Sequence, residues 1–283
     1  MRLPIFIVAL VAGGTALAAQ EPVVTSTIGM EFVLIKPGSM VVGKFQPPYP
    51  KPVDPNAPPA AARGGGRRGT PLTPAEYKRA EDMAKADSSA GFPVNITKAF
   101  YIGKYEVTQA QWKKVMVTNP STFQGDKVTD DADKHPVENV TWSDAQAFMK
   151  KLNAMDKSAT YRLPTEFEWE YAARAGGDAD IPWTQIREQA ITGYNSFTNT
   201  HMVGEKAPNA WGLYDVMGNV WEWVQDFYSE KVFADPIPAK SGHVHVLKGG
   251  GFVADVKNGI PATHAAGPGS GFDVGFRVVR EVK

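Results

Sequence analysis

Residues 211–223 read Trp211-Gly212-Leu213-Tyr214-Asp215-Val216-Met217-Gly218-Asn219-Val220-Trp221-Glu222-Trp223. Three tryptophans and one tyrosine fall within these thirteen residues, and two carboxylates, Asp215 and Glu222, stand seven apart around a Gly218-Asn219 turn. Aromatic side chains bury large areas and dominate cores. Carboxylates enter a core only when they are paired or bound to a metal. Two readings follow. The acids and the inward carbonyls of the turn can hold calcium, which takes about six to eight hard oxygens from carboxylates and carbonyls together. Alternatively, Asp215 caps a turn and Glu222 pairs with an arginine such as Arg277.

The chain of 283 residues is long enough for one large domain or two small ones. Basic and acidic residues balance at 30 each, which lacks the basic footprint of a nucleic-acid binder. There is no cysteine. That excludes structural disulfides, thiolate metal sites, thiol nucleophiles and a cysteine-linked lipid anchor. Residues 1–19 read as a signal peptide, with Arg2, an apolar run from Ile5 to Ala12 and a small-x-small site at Ala16-Leu17-Ala18. The competing reading is a retained N-terminal anchor, but the run is short and broken by glycine. The mature chain is therefore expected to be periplasmic or secreted, with no stable membrane insertion after cleavage.

Working outward, Ile28 to Val42 reads as two strands around Lys36-Pro37-Gly38-Ser39. Composition then shifts to a Pro/Gly/Arg-rich insertion at about 45–92, inside which Thr73-Pro74-Ala75-Glu76 opens a short helix. Arg63, Arg67 and Arg68 lie in it and read as a solvated linker or an anion contact. Strands follow over Val94 to Val107. Three further helices start at Thr108, Ser143 and Thr165. No helix is expected after residue 177, where short strands and turns take over, most clearly at Val246 to Gly251 and Gly275 to Val282. The class is α+β, with few short helices and strands and much irregular structure.

Six ordered blocks carry a resemblance. They are Gly29-Met30-Glu31-Phe32-Val33, Tyr101 to Thr108, His135-Pro136-Val137, Tyr161 to Glu170, Gly218 to Trp223 and Gly275-Phe276-Arg277. Together they resemble the formylglycine-generating enzyme or sulfatase-modifying factor domain, a variant of the C-type lectin fold, over about residues 27–283. The resemblance implies copper-binding cysteines just after a Gly-Gly-Ser motif. Here the matching stretch is Gly249-Gly250-Gly251, with Gly251 at the serine position and Ala254 and Gly259 at the cysteine positions. Copper(I) wants soft thiolates, so no copper is expected. Formylglycine generation by that mechanism has no ligands to run on. Other branches of the family act in sulfoxide synthesis with an iron-binding helical domain, in periplasmic siderophore-chromophore maturation, or as scaffolds.

The resemblance also implies site residues. A structural calcium would use the side chains of Asp215 and Glu222 and the carbonyls of Gly218 and Val220. A second would use Asn195 and Ser196, although the acid it needs aligns with Gly204, beside Glu205. Catalytic candidates are Trp221 near the family's groove, Asp255 and Lys257 in its active loop, and His264 as an acid or base. His243 and His245 share a strand face but lack a third ligand. Arg162 and Arg277 are expected to clamp carbonyls and acids such as Glu166, Glu168 or Glu222. Two functions remain. One is a non-catalytic binding or scaffold module for a peptide, glycan, small-molecule or protein ligand. The other is a divergent oxidoreductase or maturation enzyme working without cysteine.

Overall fold

A computed structural model describes residues 23–45, 89–177, 186, 188–193, 195–196, 198–229, 241–254, 261, 263–267 and 269–282. The expected signal peptide, the Arg63, Arg67 and Arg68 cluster, the helix opening at Thr73, and Asp255 and Lys257 lie outside the described residues.

The first sheet is antiparallel throughout. It is built from β1 (Val24–Thr25), β2 (Glu31–Ile35), β5 (Phe100–Gly103), β6 (Tyr161–Arg162) and β11 (Val279–Glu281). Their order is β1-β2-β5-β11-β6, so the C-terminal strand lies inside the sheet that the N-terminal strands begin. Val279 pairs with Ile102 on one side and Arg162 on the other. A second sheet runs β10 (Val274–Gly275), β7 (Trp221–Phe227), β8 (His245–Lys248) and β9 (Ala265–Ala266), with β10 parallel to β7. The third is a pair, β3 (Gly38–Phe45) and β4 (Ser89–Ile96). Its pairing extends to Phe45 opposite Ser89. Those flanks, expected within the insertion, are therefore strand, and only 46–88 stays outside the described residues.

Among the described residues, three capping boxes each start a helix. Thr108 with Gln111 opens α1 (Gln109–Met116), and Thr165 with Glu168 opens α3 (Glu166–Ala173). The helix α2 (Trp142–Met155) begins at Thr141 rather than at Ser143. Asp144 reaches back to the Thr141 amide at 2.9 Å, in the role the motif usually gives to Glu or Gln. Helical structure also recurs beyond 177, at Ile186, Glu188 and Gln189, against expectation. Ile186 and Ala190 are both buried and four apart, and the Ala190 amide donates to the Ile186 carbonyl. Among the described residues, no helix is long and apolar enough to cross a membrane.

Two apolar cores result. In the first, Trp112 stacks on Phe148 at 5.5 Å, and both meet the edge of Phe276. The second gathers Trp169, Met217 and Val224 under α3. The C-terminal segment threads both cores, with Phe276 and Val278 in the first and Val279 in the second. Between them lies Arg277, wholly buried.

Candidate functional site

Arg277 organises the opening stretch. Its Nε donates to Glu222 Oε2 and its Nη2 to Glu222 Oε1, both at 2.6 Å. Further donations reach the carbonyls of Tyr214, Asp215 and Gly103. The Trp169 indole donates to Glu222 Oε2 at 2.7 Å. A bidentate, charge-assisted pair of this kind is strong and directional. The arginine-paired reading of Glu222 is the one the geometry gives.

Asp215 is also buried. Its Oδ2 accepts from the Gly204 amide at 2.7 Å, while Oδ1 has no hydrogen-bond partner. Burial pushes its pKa up to about 6, against the Gly204 hydrogen bond and the Arg277 charge. Sequence reasoning missed a third acid, Glu106. It is 1% exposed, and its oxygens accept from Asn219 Nδ2 at 2.7 Å and the Val220 amide at 3.1 Å. Burial first, then the charges of Asp215 and Glu222, hold its pKa well above the usual carboxylate range. Its signal was an acid directly before the buried Val107 in the Tyr101 to Thr108 block. Three buried carboxylates thus share one guanidinium.

The calcium ligands expected from the resemblance fit only in part. Glu222 is committed to Arg277 and Trp169, and a guanidinium in contact repels a second cation. Of the two side chains in that set, Asp215 alone keeps an unpaired oxygen. At the second position, the Asn195 carboxamide is taken up by its own turn, accepting from the Thr192 amide and donating to the Ala190 carbonyl. Glu205, beside the Gly204 that stands at the acid position, lies 2.9 Å from His201 Nδ1. Among the described residues, no group of three or more His, Cys, Asp or Glu is arranged to hold a metal ion.

The glycine loop is bound to this turn. The Gly218 amide donates to the Gly249 carbonyl at 2.7 Å, and the Phe252 amide to the Asn219 carbonyl at 2.8 Å. A Cβ on Gly251 would lie 2.5 Å from Asp273 Oδ2 and 2.9 Å from its Cβ. The space a serine side chain would need is thus filled by Asp273. Trp221 is half-buried against the first core, and its amide donates to the Asp273 carbonyl at 2.7 Å.

His264 proves to have the partner its sequence surroundings lacked. Its Nδ1 lies 2.6 Å from Glu166 Oε1, and its ring stacks on Tyr228 at 4.5 Å. Glu166 is also 3.7 Å from the buried Lys248 ammonium, which binds Glu170, which in turn binds Arg174. Burial acts to raise the Glu166 pKa, but His264 and Lys248 lower it on balance. His264 is thus linked through Glu166 to the buried Lys248, Glu170 and Arg174. His245 is sandwiched between Trp142 at 3.7 Å and Phe227 at 4.3 Å, while His243 is exposed, so the two do not form a chelate. Arg162 clamps Glu168 with two bonds of 2.6 and 2.8 Å, as expected. It lines a cavity of about 410 Å³ with Asn95, Lys98, Phe100, Phe167 and Glu168, which shares no residue with the glycine loop.

Comparison with known proteins places these features in context. Residues 22–282 match the sulfatase-modifying factor enzyme 1-like domain. The chaperone protein LppX of Paenibacillus barcinonensis is 33% identical over 253 residues, covering 69% of this chain and 85% of that protein. The formylglycine-generating enzyme of Thermomonospora curvata is 38% identical over 153 residues, covering 46% of this chain and 48% of the enzyme. The match thus spans about half of that relative. Among solved structures, Treponema denticola variable protein 1 superposes with a TM-score of 0.67 at 26% identity, covering 92% of this chain and 99% of that one. PvdO from Pseudomonas aeruginosa shares the fold with a TM-score of 0.66 at 21% identity, covering 92% and 98%.

Proposed function

Because this chain belongs to the sulfatase-modifying factor enzyme 1-like domain family and carries no cysteine, we propose that it is a non-catalytic member that works by binding a protein partner outside the cytoplasm. The observation that carries this reading is Gly251. The family's serine position has lost its side chain, and Asp273 takes up the space beside it. Restoring a serine there would require Asp273 to move, and the first cysteine position is Ala254. The relative named as a chaperone adds support, since holding another chain requires a surface and no redox centre. A fold by itself does not fix an activity, so the reading rests on the loop.

The test measures both functions at once. The purified mature chain is expected to suppress light scattering from reduced, aggregating insulin at near-equimolar ratio. It is also expected to consume no oxygen with cysteine-containing peptides, with copper or iron added. Failure to suppress scattering, or oxygen uptake above the buffer rate, overturns the proposal, and the second outcome favours the divergent oxidoreductase.

A structural calcium belongs to the same proposal in narrowed form. Asp215 Oδ1 would supply its charged oxygen, and the ion would offset the buried acids Asp215 and Glu106. Chelation is then expected to lower the thermal midpoint by about 5 °C, and re-added calcium to restore it. An unchanged midpoint in chelator removes the ion from the account.

A further inference from the structure

The chain leaves β4 for β5 through Thr97-Lys98-Ala99, passing from the third sheet to the first. The cavity of about 410 Å³ that Arg162 lines opens beside this crossing, and Phe167 and Glu168 of α3 close its other side. That volume lies within the ~300–1,000 Å³ usual for ligand pockets. The lining grades from buried Ile96 and Phe100, through half-buried Val94 and Phe167, to exposed Lys98 and Val282. Val282 is among the few large apolar groups that stand out from the described surface, at 46% exposed. A ligand arriving from solvent thus meets a charged and apolar rim before an apolar floor.

Four charged residues line the cavity, and three of them are committed to one another. Arg162 donates to both oxygens of Glu168, at 2.6 and 2.8 Å, and through Nε to Glu281 at 3.2 Å. A further Nη1 hydrogen goes to the Leu163 carbonyl. Four of the five guanidinium N–H groups are then taken, and one on Nη2 remains without an acceptor among the described residues. Glu168 also accepts from the Thr165 amide at 2.8 Å, which closes the capping box of α3. Lys98 stands apart from this set. It is exposed, and no ion pair among the described residues includes it. Lysine is a compact charge on a flexible stem, so the ammonium can reach across the mouth while the stem keeps its apolar contacts.

We propose that this cavity holds an anchor residue of the partner protein, a large apolar side chain with a carboxylate beside it. The proposal names the partner chemistry of the binding reading above and rests on it. The side chain packs against Phe100, Phe167 and Val282, and an aromatic anchor adds edge-to-face contact with the two rings. Anchors that fill such pockets carry most of the energy of an interface. The carboxylate pairs with Lys98 and can accept the remaining Nη2 hydrogen of Arg162. Lys98 and Arg162 balance Glu168 and Glu281, so the lining has no surplus of cations for a phosphate or a polyanion. A single carboxylate is the charge that one unpaired ammonium matches. It comes either from the C-terminus of the partner chain or from an acidic side chain next to the anchor.

Four acetylated peptides, titrated calorimetrically into the full chain, test the site. They are Ala-Ala-Phe as the free acid and as the amide, and the amides of Ala-Phe-Glu-Ala and Ala-Phe-Lys-Ala. The glutamate peptide is expected to bind about tenfold more tightly than the lysine peptide, with the difference shrinking as salt rises. The free acid is expected to exceed its amide likewise, and whichever acidic peptide binds better identifies the source of the carboxylate. Lys98→Glu, a change at an exposed position, is expected to reverse the preference between glutamate and lysine. Val282→Asp, also exposed, is expected to weaken the glutamate peptide by about tenfold or more through lost apolar contact and added repulsion. Equal binding of the glutamate and lysine peptides to the unaltered chain, no binding of any peptide, or a preference that survives Lys98→Glu overturns the site. Insulin protection separates the two ideas. Protection without peptide discrimination leaves the binding reading and removes the site, whereas discrimination without protection does the reverse.

Discussion

Replacing Arg277 by methionine is expected to cost about 3–5 kcal/mol of folding stability, the range seen when one partner of a buried ion pair is removed. A typical domain holds about 5–15 kcal/mol in total, so this single change brings the protein close to unfolding at ambient temperature. The reason is local and specific. Glu222 would lose both charge-assisted bonds and keep only the Trp169 indole. The carbonyls of Gly103, Tyr214 and Asp215 would each lose a donor in the interior. The acids Glu106, Asp215 and Glu222 would then lie buried together with no guanidinium between them. The midpoint of urea unfolding measures the loss. Changing Glu222 to methionine as well is expected to recover part of it, because the uncompensated charge goes too. An Arg277→Met protein that unfolds at the midpoint of the unaltered chain would falsify the central role given to this pair.

How far the sequence revealed this pair is instructive. Both partners were legible: Glu222 inside an aromatic run, Arg277 in the last block. The choice between an arginine partner and a calcium ion was not, because a carboxylate serves both and one-dimensional spacing does not show which lies nearer. The helices were legible for a physical reason. Each begins with a threonine and an acid or amide three residues on, and that signal is complete within four residues. Where it was misread, at Ser143 instead of Thr141, the cause was an aspartate doing the work of a glutamate.

Features assembled across long separations stayed hidden. Glu106 meets Asn219 across 113 residues, and His264 meets Glu166 across 98. Nothing near His264 announced a partner, and the ion-pair chain through Lys248, Glu170 and Arg174 has no sequence period. The order of the first sheet is another such case. That β11 enters between β5 and β6 depends on closure of the whole chain, which alternation of apolar residues does not encode. The glycine loop fell between these extremes. Loss of its cysteines and serine could be read directly. That Asp273 packs over Gly251 could not.

Substituting Gly218 by alanine is expected to destabilise the protein by about 3–4 kcal/mol. The residue has φ of 94°, a region that an L side chain enters at about 1–2 kcal/mol. A Cβ there would also fall 1.8 Å from the Ile191 carbonyl oxygen. That oxygen cannot simply withdraw, since it accepts from the Asn219 amide at 2.8 Å, while the Ile191 amide donates to the Met217 carbonyl at 3.0 Å. Relieving the clash breaks both bonds, at about 1 kcal/mol each. The comparison that isolates the close approach is Gly269→Ala. Gly269 also has a positive φ, 117°, but nothing lies within 4 Å of a Cβ placed on it. Strain alone should then cost it about 1–2 kcal/mol. If the two variants melt alike, backbone conformation and not contact with Ile191 governs the turn. If Gly218→Ala is much the weaker protein, the same displacement should reach the glycine loop, which hangs on the turn through the Gly218 amide and the Asn219 carbonyl.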